Sequence, residues 1–107
     1  MDDQMWVNSK YGGCVDIFAP GENVRALRLD SNPNSPVSLT GTSFAAPHVT
    51  GVVALHLERT GIANSPSSME AIIKENGNAN RLSGLGAGSP NLLLNTGVAR
   101  RRACCSY

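Results

Sequence analysis

Apolar positions along the chain cluster into short runs separated by turn signals, with one long uninterrupted stretch between them. Cys14 to Phe18 is a short apolar run stopped by Ala19-Pro20-Gly21, which predicts a strand ending in a turn. Val24 to Leu29 alternates imperfectly as Val-Arg-Ala-Leu-Arg-Leu and predicts a second strand. Asp30 to Pro36 is a turn-rich loop, and Val37 to Leu39 is expected to return antiparallel as a hairpin. From about Ser43 to Arg59 the chain reads as one helix ending near Gly61, a residue suited to the left-handed conformation of a helix C-terminus. Pro47 falls in its first turns. The helix is apolar on most sides (Phe44, Val49, Val52, Val53, Leu55 and Leu57), the pattern of a helix buried in a larger protein. Its small residues Ala45, Ala46 and Gly51 suit close contact with a sheet. A second helix is expected after Ser65, with Pro66 at its first position, running through Met69, Ile72 and Ile73 to Asn76-Gly77. Glycines from Gly84 to Gly88 lead to a last short segment at Leu92 to Leu94. The hairpin would deliver the chain to Ser43.

Composition narrows the class of protein. A chain of 107 residues with 41% hydrophobic and 16% charged residues is globular in character and sufficient for one small domain. The net charge of +1 gives no reason to expect a nucleic-acid partner. Arg100-Arg101-Arg102 is a short basic run, more consistent with a solvated tail than with a phosphate-binding patch. No apolar run approaches the ~20 residues that span a bilayer, so no membrane partner is expected. No signal-peptide pattern opens the sequence, which by itself assigns no compartment. Of the three cysteines, Cys104 and Cys105 are neighbours and ill placed to pair with each other. Cys14 is expected as a free thiol, buried and inert or weakly reactive.

Candidate chemistry concentrates in Gly41-Thr42-Ser43-Phe44-Ala45-Ala46-Pro47-His48-Val49-Thr50-Gly51. Ser43 lies where the long helix begins. There the first amide N–H groups lack helical acceptors and carry partial positive charge, which suits an oxyanion. The local chemistry leaves two readings open: Ser43 as nucleophile, or Ser43 as a helix N-cap. His48 follows five residues later, about 140° around the helix and about 7.5 Å along it, so it cannot share a proton with Ser43 while the helix holds. It reads as a satisfied core histidine, and His56 as a residue nearer solvent with no assigned role.

The 41–51 stretch resembles the nucleophile segment of subtilisin-like serine proteases, the subtilases. Tyr11-Gly12-Gly13-Cys14-Val15-Asp16-Ile17-Phe18-Ala19-Pro20-Gly21 resembles the strand and turn preceding that segment, particularly in the proteinase K-like branch. Asp2-Asp3-Gln4 and the run to Tyr11 resemble the segment before it, and Gly88-Ser89-Pro90-Asn91-Leu92-Leu93 the family's closing segment. Order and spacing agree over residues 2 to about 97, so residues 1–97 read as the C-terminal portion of a subtilase domain and 98–107 as a non-matching tail rich in arginine and cysteine.

The resemblance implies a subtilisin-like α/β fold with an incomplete sheet, a secreted parent, a polypeptide substrate and no required cofactor. It implies Ser43 as nucleophile, with its backbone N–H in the oxyanion hole and Thr42 in support. The triad's aspartate and histidine precede the serine in this family. No histidine precedes Ser43, and Asp2, Asp3, Asp16 and Asp30 match neither position. Those groups and the oxyanion asparagine are expected from an upstream portion of the domain, which would also be this chain's partner. Asp16 matches a calcium-binding position in the proteinase K-like branch. Read on its own, it is a turn or loop hydrogen-bonding residue, and the calcium belongs to the full-length parent. Cys14 matches a cysteine that pairs with an upstream one in several relatives. Two other readings stand beside the protease: a truncated relic without activity, and a peptide-binding fragment.

Overall fold

The computed structural model describes residues 3–27, 36–61 and 65–97. Its element order is β1 (Val24–Ala26), β2 (Val37–Leu39), α1 (Thr42–Thr60), α2 (Pro66–Asn76), β3 (Asn78–Ala79) and β4 (Leu92–Leu93). β1 and β2 pair antiparallel, with Val24 opposite Leu39 and Ala26 opposite Val37. The strand expected over Val24 to Leu29 therefore stops at Ala26, because its partner is only three residues long. Leu27 lies beyond the ladder and is exposed. Residues 28 and 29, nearly all of the loop expected at 30–36, and the tail 98–107 lie outside the described residues.

The apolar run Cys14 to Phe18, all of it among the described residues, does not form a strand. It touches a ladder only at Phe18, which bridges in parallel to Leu93. The Phe18 N–H donates to the Leu92 carbonyl at 2.9 Å, and the Leu94 N–H donates to the Phe18 carbonyl at 2.8 Å. On its other side β4 pairs antiparallel with β3, Asn78 opposite Leu93. The closing segment thus sits between Phe18 and the strand leaving α2. Asn91 reinforces this corner: its side-chain amide donates to the Leu82 carbonyl and accepts from the Leu82 N–H, both at 2.9 Å.

Both helices begin and end where their sequence signals lie. α1 terminates at Gly61, left-handed at φ 62°, whose N–H donates to the Leu57 carbonyl. Pro47 is the sixth residue of α1 and so falls past the first turn. It leaves the Ser43 carbonyl without the usual donor four residues on, a loss the helix carries without ending. α2 is capped by Ser65, whose hydroxyl accepts from the Ser68 N–H at 3.2 Å, with Pro66 in the first helical position.

Among the described residues the core is Val52 of α1 with Met69 and Ile73 of α2, and Ile17, Val53 and Leu94 pack against it. The covered face of α1 runs through Ala45, Val49, Val52, Val53 and His56, spaced by three and four residues as one helical stripe. Apart from half-buried Phe44, the rest of the helix is open to solvent, including Leu55 and Leu57, 44% and 38% exposed. Among the described residues α2 and the segments around Ile17 and Leu94 cover a single stripe of a helix whose apolar pattern suits burial in a larger protein. Neither helix is long and apolar enough to cross a membrane.

Candidate active site at the start of the long helix

Two short contacts place the start of α1. The Gly41 N–H donates to the Gly21 carbonyl at 2.8 Å, joining the turn after Phe18 to the residue before the helix. The approach is tight at Gly21 itself: a Cβ there would lie 3.0 Å from the Gly41 carbonyl oxygen and 3.2 Å from the Ala45 Cβ. Only a residue without a side chain fits without displacing the helix. The hairpin is closed at its base by Asn23, whose N–H donates to the Thr40 hydroxyl at 2.9 Å.

Thr42 and Ser43 are therefore the first and second residues of α1, and both are exposed. Gly41, not Ser43, occupies the cap position, and no side chain caps the helix. The N-cap reading of Ser43 is overturned, since its own backbone has already entered the helix. Its hydroxyl makes no hydrogen bond to the described residues. No acidic side chain occupies the first turn. The amide N–H groups of Thr42 and Ser43 precede the first i→i−4 bond and remain directed out of the helix end. An exposed hydroxyl beside such donors is a geometry in which a developing negative charge on a bound carbonyl is stabilised. Beside Thr42 lies a cavity of about 460 Å³ whose walls include Trp6, Phe18, Gly21 and Ala45.

His48 does not complete this site. Its Nδ1 lies 2.7 Å from the Phe44 carbonyl, so that nitrogen carries the proton and donates it to the backbone. His48 is exposed, not the core residue expected, because it sits off the covered stripe. His56 sits on that stripe and is half-buried, the reverse of the expected order. Cys14 is free as expected, but exposed and not buried. Cys14 lies at the open end of its run, before the residues that meet the core at Ile17 and the ladder at Phe18.

Asp16 reaches α2. Its Oδ1 accepts from Lys74 Nζ at 2.7 Å, and the same ammonium reaches Glu70 Oε1 at 2.6 Å. The hydrogen bonds that Lys74 donates, first to Asp16 and then to Glu70, hold its pKa above the ordinary 10.5. The pairing is thus present below that value and is lost as the pH rises past the folded-state pKa. The partner of Asp16 was not legible: Glu70 and Lys74 stand four apart on one helix face, but nothing local points from them to Asp16. Among the described residues no three His, Cys, Asp or Glu side chains come together as a metal site. Asp3 is described and lines the cavity beside Thr42, whereas Asp2 and Asp30 lie outside the described residues.

The order of motifs and the serine at the helix start are those of a known family, and residues 1–93 match the model of the subtilase family of S8 peptidases. The chain belongs to the subtilase family. Alkaline protease 1 of Aspergillus flavus is 40% identical over 91 residues, which is 85% of this chain and 22% of that protein. Extracellular serine proteinase of a Thermus species is 39% identical over 88 residues, 82% of this chain and 21% of that protein. A solved structure of a cold adapted subtilisin-like serine proteinase superposes with a TM-score of 0.81 at 32% identity, covering 92% of this chain and 34% of that one. The chain spans about a fifth of the length of these curated relatives and a third of the structural neighbour. Its elements are accordingly part of a subtilisin-like α/β fold, and the uncovered faces of α1 are those of a partial subtilase domain.

Proposed function

We propose that this chain is the nucleophile-bearing part of a secreted subtilisin-like serine endopeptidase. The observation that carries the reading is Ser43 itself: an exposed, unbonded hydroxyl at the second residue of an uncapped helix, within the Gly-Thr-Ser-Phe-Ala-Ala-Pro-His segment. In this reading Ser43 Oγ attacks the scissile carbonyl of a polypeptide. The tetrahedral intermediate's oxygen accepts from the Ser43 N–H, with the Thr42 hydroxyl beside it. Collapse expels the amine and leaves an acyl-enzyme at Ser43, which water hydrolyses. The serine proton passes to a histidine oriented by an aspartate, both supplied by another part of the domain. His48 cannot take that proton, because it stands five residues after Ser43, about 140° around the same helix and about 7.5 Å along it. The names of the relatives, proteases described as alkaline or extracellular, support both the reaction class and the secreted location.

The 107-residue chain alone is then inactive. Casein and peptide amides incubated with it remain uncleaved above background, and a fluorophosphonate reagent leaves Ser43 unlabelled, since an unassisted serine hydroxyl is a poor nucleophile. Turnover by the purified chain, abolished by Ser43→Ala, contradicts this reading.

A further inference from the structure

The resemblance points to calcium at Asp16, and the side chains around Asp16 do not fit it. Calcium takes 6–8 oxygen ligands at about 2.3–2.6 Å. Here the Asp16 carboxylate faces an ammonium: Lys74 Nζ lies 2.7 Å from Asp16 Oδ1 and 2.6 Å from Glu70 Oε1. Among the described residues Glu70 is the other carboxylate paired with this ammonium, and Lys74 stands between the two. A divalent ion bridging Asp16 and Glu70 would have to occupy the place of Nζ, against its positive charge. The cation is also anchored covalently. Lys74 lies in the last turn of α2, one helical turn after Glu70, on the stretch of helix that buries Ile73. Asp16 lies beside Ile17, which packs on that same core. The ion pair therefore closes one side of the apolar cavity of about 490 Å³ that Val15, Ile17, Val49, Val53, Met69 and Ile73 line.

We propose that the Lys74 ammonium, held between Asp16 and Glu70, replaces a calcium ion at Asp16 and ties the Val15–Ile17 segment to α2. Asp16 in this chain is then a partner for an internal cation, and the joint between the two segments does not respond to calcium.

The lysines of this chain are Lys10 and Lys74, so exposed Lys10 serves as an internal reference. The test is trace acylation of the full chain with an N-hydroxysuccinimide ester. The ratio of labelling at the two lysines is read by peptide mass spectrometry, with calcium chloride at millimolar concentration or with EDTA. A hydrogen-bonded ammonium between two carboxylates acylates severalfold more slowly than Lys10. The expected ratio is therefore low, equal in calcium and EDTA, and raised severalfold toward that of Lys10 by Asp16→Asn. Three results overturn the proposal: equal labelling of Lys74 and Lys10 in the parent chain, faster labelling of Lys74 when calcium is added, or no effect of Asp16→Asn. Because Asp16 is exposed, its substitution leaves the buried contacts of α2 in place. Ser43 plays no part in the readout, so the result is independent of the proposed peptidase chemistry.

Discussion

At the scale of single residues, the site depends on one glycine as much as on the serine. Gly21 contacts the residue before α1 and the third residue after Thr42, so it sets where the helix starts. Gly21→Ala adds a methyl group 3.0 Å from a backbone oxygen that cannot turn aside. Overpacking of this kind costs about 1–3 kcal/mol. The expected outcome, in any active protein carrying this segment, is a lower melting temperature together with a lower kcat, because the displaced element carries the nucleophile. Lower stability at full kcat would show that Gly21 supports the fold without positioning Ser43. Ser43 was legible as a nucleophile because the whole stretch from Gly41 to Gly51 resembles a subtilase nucleophile segment, whereas its local chemistry left the N-cap reading open as well. The role of Gly21 was not, since closeness between a turn and a helix twenty residues later leaves no local trace. The same holds for Lys74 and Asp16, which are separated by most of the chain.

At the scale of elements, helices were read more accurately than strands. The start of α2 was legible because Ser65 and Pro66 are themselves the capping group and the first-turn proline. The end of α1 was legible because Gly61 supplies the left-handed residue. These are local determinants. Strand length depends on a partner: β1 stops where β2 runs out, and Cys14–Ile17 lie beside no ladder, although their residue types favour strands. Burial is likewise a property of neighbours, which explains why His48 and Cys14 are exposed despite apolar surroundings in the sequence. The local nature of α2 also yields a test. Ser65→Ala removes the hydroxyl that accepts from Ser68 and is expected to cost about 1 kcal/mol. The helical circular dichroism signal should fall, and Ser65→Asp, which restores an acceptor, should recover it. An unchanged signal in Ser65→Ala would show that α2 is held by Met69 and Ile73 without help from its cap.

At the scale of the whole molecule, a small core stands beside a large uncovered apolar surface. Val52, Met69 and Ile73 are the buried residues among those described, while Val7, Tyr11, Leu27, Leu55 and Leu57 are exposed. Exposed apolar surface of this extent favours association. The isolated chain is therefore expected to bind an apolar dye, to self-associate as concentration rises, and to melt without a sharp cooperative transition. A monomer that melts cooperatively and binds no dye would mean that three buried side chains suffice, and would favour a self-standing peptide-binding module over part of an enzyme.

The central claim is that Ser43 is a subtilase nucleophile lacking only the groups that another part of the domain supplies. Its most direct test is a chimera in which residues 3–97 of this chain replace the matching segment of Aspergillus flavus alkaline protease 1, to which it is 40% identical over 91 residues. The measurement is kcat for a peptide amide, with and without Ser43→Ala, in chimeras shown by cooperative melting to be folded. In subtilisin, a member of the same family, removing the triad serine lowers kcat by on the order of 10⁶-fold. The folded chimera is expected to hydrolyse the peptide and to fall to background on Ser43→Ala. A folded chimera that is inactive, or whose activity survives the loss of Ser43, would contradict the account.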